Sequence, residues 1–172
     1  MISFDSVWTQ IEQDLEEFKK EYRRTFLLTE FEKICELMTK DVGLEKRIRV
    51  LYLESYNKIN TTKIIMERYL ELELSDEDAH FLCDVIRAYL EREEKRKDID
   101  INLRKGIYKQ QGGKCALCCR DFLLDEMHAD HSIPWKLVGD ELRGNYQLLC
   151  EECNLKKGSK VTYKLLNIMK LT

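Results

Sequence analysis

Two Cys-x-x-Cys pairs, Cys115/Cys118 and Cys150/Cys153, stand in the last third of this 172-residue chain, and between and just beyond them come Asp130-His131, Asn145 and Asn154. Thiol pairs spaced this way, about thirty residues apart and outside any disulfide framework, are how a chain builds a tetrahedral zinc site. Four thiolates fill the tetrahedron and leave no open position for water or substrate, so such a zinc is structural. Reaction chemistry would need another ion. Asp130 and Asn154 offer oxygen atoms, which suit Mg2+ or Mn2+ in the company of waters and a phosphate. His131 is a base with an ordinary pKa of about 6.5, able to take a proton at neutral pH without large tuning. Neighbours on an extended strand point to opposite sides, so Asp130 and His131 serve one centre only if the backbone bends there. Pro134, three residues on, permits such a bend.

Several nearby side chains compete for roles. Cys119 follows Cys118 directly and is a rival zinc ligand; the two-residue spacing, which mirrors Cys150/Cys153, favours Cys118. His128 lies two residues before Asp130, on the same face of an extended strand, where it either supports the metal site or packs beside it. Lys156, Lys157 and Lys160 follow the last thiol and are candidate phosphate contacts; each reads equally well as a solvated cation.

In chain order these residues form Asp-His-x-Ile-Pro, Asn-x-Gln-x-Leu-Cys and Cys-Asn-x-x-Lys-Gly between and after the thiol pairs. Over about residues 101–160 the chain resembles the HNH nucleases, whose ββα-metal fold cuts nucleic-acid backbones. The resemblance implies that His131 activates the attacking water, that Asp130 and Asn154 hold one divalent ion, and that Asn145 braces the loop between them. It implies a nick in DNA that leaves a 5′ phosphate and a 3′ hydroxyl. The family's third histidine is replaced here by Asn154, the His-Asn-Asn form, which moves the preferred ion toward Mg2+ or Mn2+. The alternative is a nonenzymatic zinc knuckle that binds or assembles.

Composition sets the frame for these motifs. With 44% hydrophobic and 35% charged residues the chain can bury a core, and no apolar run approaches the roughly 18 residues of a membrane span. The first residues, Met-Ile-Ser-Phe-Asp-Ser, lack the pattern of a signal peptide, so a cytoplasmic protein is expected. Seven cysteines, an odd number, fit a reducing compartment; Cys35 and Cys83 read as core residues. Residues 1–100 carry 17 basic and 24 acidic side chains, a net of −7, whereas residues 101–172 carry 12 and 8, a net of +4. A polyanion would meet the second part.

The acidic part reads as helical throughout. Val7/Trp8, Ile11, Leu15, Phe18 and Tyr22 recur at helical spacing and predict a long first helix with a buried face. Thr29-Glu30-Phe31-Glu32 predicts a second helix ending near Gly43, followed by helices over roughly 44–59 and 62–73 and one opened by Ser75 that continues into the charged stretch 91–97. Most aromatics here, including Trp8, Phe18, Tyr22, Phe26, Phe31, Tyr52, Tyr56, Tyr69 and Phe81, are expected in the core. The architecture expected is mainly α with a small α+β part: an N-terminal helical bundle over 1–97, then a zinc-stabilised ββα-metal domain over 98–172. The bundle has no catalytic constellation, since its one histidine, His80, lies alone. It is expected to dock a protein partner, an ATPase subunit of an antiphage or restriction system being the candidate.

Overall fold

A computed structural model describes residues 4–171. The elements run α1 (Phe4–Lys40), α2 (Val42–Glu54), α3 (Lys58–Leu70), α4 (Asp76–Glu91), α5 (Ile101–Gln110), β1 (Met127–His131), α6 (Trp135–Val138), β2 (Tyr146–Cys150), α7 (Glu151–Lys157) and α8 (Tyr163–Leu171). This is the mainly helical chain with a small α+β part that the sequence implied. None of the described helices is long and apolar enough to cross a membrane.

Local chemistry explains the helix ends. Asp41, Asn57, Ser75 and Asp100 each accept a backbone N–H of the following first turn, which places starts at α2, α3, α4 and α5. Thr29 does not open a second helix, because its hydroxyl donates back to the Thr25 carbonyl at 2.9 Å and leaves the helical ladder intact. The expected pair of helices is therefore one, α1, of 37 residues. Helix α4 stops at Glu91 instead of running through the charged stretch, and Arg92 is already extended.

The bundle core is built from Phe31, Ile34 and Met38 of α1, Ile48 and Tyr52 of α2, Ile65 and Met66 of α3, and Leu82 and Ile86 of α4. It does not end at the linker. Ile133, Leu137 and Val138, from the loop after β1 and from α6, belong to the same buried cluster, so the bundle clamps the loop that follows His131. A second cluster gathers Ile107, Leu117, Met127, Leu148 and Leu149 around the four paired cysteines.

Burial of the aromatics departs from expectation. Phe31 and Tyr52 are buried, but Trp8, Tyr22, Phe26 and Tyr56 are exposed. Among residues 7–20 of α1 every side chain is exposed except the half-buried Phe18. The helix projects past its bundle neighbours, so the periodicity was a true sign of one apolar face that the bundle core does not bury.

Candidate active site

The metal-binding knuckle begins where α5 ends. Gly112 and Gly113 take positive φ values of 61° and 74°, turning the chain so that Cys115 enters the second core. The Gln111 side chain imitates a strand residue: its amide donates to the Leu148 carbonyl at 3.0 Å and its oxygen accepts from Leu148 N–H at 2.8 Å, tying the turn to β2. Cys119 adopts φ 57°, the left-handed position that such a knuckle needs, and its side chain is exposed.

Cys150 is the N-cap of α7 and Cys153 lies in its first turn. The sulfur atoms of Cys115, Cys118, Cys150 and Cys153 all lie within 4.8 Å of one another, and among the described residues these four form the metal-binding group. Cys118 Sγ and Cys150 Sγ are 3.9 Å apart, close to the edge of about 3.8 Å implied by Zn–S bonds of about 2.3 Å in a tetrahedron. Burial pushes the Cys115 and Cys153 thiols up, and crowding among the sulfurs pushes Cys153 up further. Burial also opposes ionisation of Cys118, but the Arg120 guanidinium, 3.3 Å from its sulfur, brings it down to about 7. A cluster of thiols that cannot all shed protons alone is completed by a dication. The set fits zinc.

Strands β1 and β2 form an antiparallel hairpin with Asp130 opposite Gln147 and His131 opposite Tyr146. The strand stays regular through His131 without the bend expected there, so Asp130 and His131 point to opposite faces, each with its own set of partners. On one face the Lys157 ammonium, from the last turn of α7, lies 2.8 Å from Asp130 Oδ2, and Gln147 Nε2 donates to the same oxygen at 3.1 Å. Lys157 also donates to the His131 carbonyl at 2.7 Å, so one buried cation fastens α7 to the end of β1. Asn154 is half-buried one turn earlier on α7, and its i,i+3 relation to Lys157 puts it on the helix face that adjoins Asp130.

On the other face the His131 side chain is only 2% exposed. Its Nε2 is 2.9 Å from Asp140 Oδ1 and its Nδ1 is 3.3 Å from Arg96 Nη2. Asp140 also accepts from Tyr146 O–H at 2.6 Å, Trp135 Nε1 at 3.1 Å and the Lys97 backbone N–H at 2.8 Å. Burial alone would raise the Asp140 carboxyl; the donors from Tyr146, Lys97, Trp135 and His131 outweigh it and pull it down to about 2. Asp140 is thus ionised, and an ionised carboxylate only accepts, which puts the imidazole proton on Nε2 and the lone pair on Nδ1. Burial lowers the His131 pKa, the Asp140 contact pulls the other way, and the Arg96 charge lowers it again; the result lies below the ordinary histidine range.

Asn145 spans the turn between the strands. Its Oδ1 accepts from Ile133 N–H at 2.8 Å and its Nδ2 donates to the Ile133 carbonyl at 2.9 Å, while its own carbonyl accepts from Ser132 N–H at 2.7 Å. Residues 115–160 match the family model described as HNH endonuclease. The segment is an HNH domain. Comparison with curated proteins and with solved structures finds no match. The family is one of nucleases, which makes nucleic acid the ligand class that the HNH domain implies.

Of the residues singled out in the sequence, Lys157 touches Asp130 and the His131 carbonyl, the His131 ring lies on the other face with Asp140, and Asn145 bonds Ile133 in the loop between the strands. Lys157 is enclosed instead of lying on a surface that phosphates could reach. Lys156 pairs with Glu152 on the exposed face of α7, and Lys160 lines a cleft of about 230 Å3 together with Arg24, Ser132, Gln147, Lys157 and Lys164. His128 is exposed on the Asp130 side of β1. The sequence reading missed Asp140, Arg96, Lys97 and Gln111. Asp140 lies outside the quoted motifs, and Arg96 and Lys97 lie in the linker; no spacing rule marked them.

Proposed function

We propose that the HNH domain is a metal-dependent endonuclease that nicks DNA, with His131 as general base, Asn145 as brace, and Asp130 with Asn154 holding the catalytic ion. The observation that carries this reading is the orientation of His131: Asp140 fixes the Nε2–H tautomer, which leaves Nδ1 as the proton acceptor. A neutral imidazole with a lowered pKa keeps that lone pair available at neutral pH.

The oxygen donors suit the ion. Lys157 and Gln147 both engage Oδ2 of Asp130, so Oδ1 is the atom that would meet a cation, together with the Asn154 amide oxygen from α7. One carboxylate, one amide, waters and a substrate phosphate make an ordinary Mg2+ or Mn2+ set. Such an ion, when bound, stabilises the charge that develops on the phosphoryl and leaving oxygens.

Arg96 covers Nδ1 from the linker. A guanidinium prefers a phosphate to a neutral imidazole, because a bidentate charge-assisted contact outweighs a single neutral one. An arriving backbone phosphate therefore draws Arg96 away and frees Nδ1 for the attacking water. His131 takes the proton from that water, and Asp140 steadies the imidazolium that forms. Lys160 and Arg24, which line the cleft on the Asp130 side where Lys164 is paired with Glu21, supply the electrostatic attraction for the strand.

The test is nicking of supercoiled plasmid by zinc-loaded protein with Mg2+, Mn2+ or a chelator, with His131→Ala in parallel. Metal-dependent open circles that ligase reseals, lost in the variant, support the reading and its 5′-phosphate product. A folded, zinc-bound wild type that cuts no faster than the variant in every metal would instead favour a nonenzymatic binding module.

A further inference from the structure

Helix α1 carries an apolar seam that the bundle does not use. Trp8, Ile11, Leu15, Phe18 and Tyr22 are separated by three, four, three and four residues. Trp8, Ile11, Leu15 and Tyr22 are each 49–57% exposed, and Phe18 stacks on Tyr22 with ring centroids 6.2 Å apart. At 3.6 residues per turn the seam lies roughly half a turn of helix away from Leu27, Phe31, Ile34 and Met38, which face the bundle. A partner on the seam would not collide with the packed core. Four exposed large apolar side chains and the half-buried Phe18 in one row on a projecting helix are what an interaction surface looks like.

We infer that this seam pairs with the same seam of a second copy, as a short parallel two-stranded coiled coil. The spacing averages 3.5 residues, the period of a supercoiled helix pair, where a lone amphipathic helix packed on a globular core follows 3.6. With Trp8, Leu15 and Tyr22 at the a positions and Ile11 and Phe18 at d, the flanking charges choose the orientation. In a parallel pair the g position of one helix meets the following e position of the other. Asp14 then meets Lys19 of the other copy, twice by symmetry, while Glu12 faces Val7, so no like charges meet; Glu21, beside the seam, is buried under Lys164 of α8. In an antiparallel pair Glu12 would meet Lys19, but Asp14 would come up against Glu21, a carboxylate already buried under Lys164 of α8. Lys19 is held within its own chain only by an exposed i,i+3 pair with Glu16, a weak contact easily exchanged.

Two heptads make a short coil, so the dimer is reversible and depends on concentration. It sets two HNH domains on one particle, one centre for each strand of a duplex. The pairing stands or falls independently of whether the HNH domain cuts.

Sedimentation velocity on the full chain over a concentration series tests it. The wild type is expected to pass from monomer to dimer, and Leu15→Asp to remain monomeric, with unchanged zinc content and helical circular dichroism because Leu15 lies outside the packed core. Asp14→Lys and Lys19→Asp should each weaken self-association, and an equimolar mixture of the two should recover the dimer, since each then offers the other opposite charge. A wild type that stays monomeric at every concentration overturns the inference. So does an Asp14→Lys chain that dimerises more tightly than wild type, the result an antiparallel pair would give.

Discussion

His131 and Asp140, nine residues apart in sequence, form a buried pair with Nε2 and Oδ1 2.9 Å apart and side chains 2% and 7% exposed. The carboxylate is itself held by Tyr146, Trp135 and the Lys97 N–H, so the imidazole has one orientation and one tautomer. Asp140→Asn keeps the shape but lets the amide donate toward Nε2, which moves the ring proton to Nδ1 and blocks the base. Nicking under single-turnover conditions should fall by about 10²-fold or more, the range a general base contributes, with zinc content retained. Asp140→Ala leaves those donors without an acceptor and should also lower stability by about 2–4 kcal/mol in denaturant unfolding.

The pH dependence of nicking follows from the groups around the ring. With His131 as the proposed base its active form would be neutral, so the rate should rise with pH and level off above its pKa, which burial and Arg96 hold below the ordinary value of 6.5. Arg96→Ala removes one of the lowering influences and should move the acid limb of the rate profile toward higher pH. Asp140→Asn removes the raising influence and should move whatever activity survives toward lower pH. Profiles of kcat/KM for the three proteins on one substrate check the sign; an Arg96→Ala limb shifted toward acid would contradict the assigned contact.

What could be read from the residues alone was whatever is encoded over short distances. The thiol pairs depend on a few neighbouring residues and a fixed spacing, whereas the Asn145 brace, which reaches Ile133 twelve residues away, came only from the family resemblance. Asp140 and Arg96 reach His131 only because α6 is anchored in the bundle core through Leu137 and Val138, a tertiary fact with no local signature. Lys157 shows the same limit at finer scale. In the sequence it read as a phosphate contact or a solvated cation, and its burial depended on where the hairpin docks. The seam on α1 was visible as periodicity, and periodicity names a face without naming what covers it.

Lys157 predicts a strong coupling. Its side chain is 4% exposed and its ammonium contacts both the Asp130 carboxylate and the His131 carbonyl, so it locks β1 to α7. Lys157→Met should cost about 3–5 kcal/mol, because it strands a largely enclosed carboxylate and a carbonyl without their donor. Asp130→Asn in the same chain should recover part of that loss. Urea unfolding of the two single variants and the double variant gives the coupling energy directly; additive effects would mean that the pair contributes little.

Metal removal should separate the two cores. The cluster of Ile107, Leu117, Met127, Leu148 and Leu149 is organised around four thiols, whereas the bundle has its own apolar interior from Phe31 to Ile86. A chelator that takes the zinc therefore leaves four crowded cysteines with no common counter-ion, and the hairpin should loosen first. Tyr146, within the hairpin, would lose hydrogen-exchange protection at its amide while Ile65 and Leu82 kept theirs. The same logic distinguishes adjacent thiols. Cys118→Ser removes a ligand whose sulfur lies 3.9 Å from Cys150 Sγ and should lower bound zinc sharply. Cys119→Ser changes an exposed side chain outside the cluster and should leave one zinc per chain, as measured by atomic absorption. If instead Cys119→Ser lost the metal and Cys118→Ser kept it, the ligand set would have to be redrawn around the left-handed residue of the knuckle.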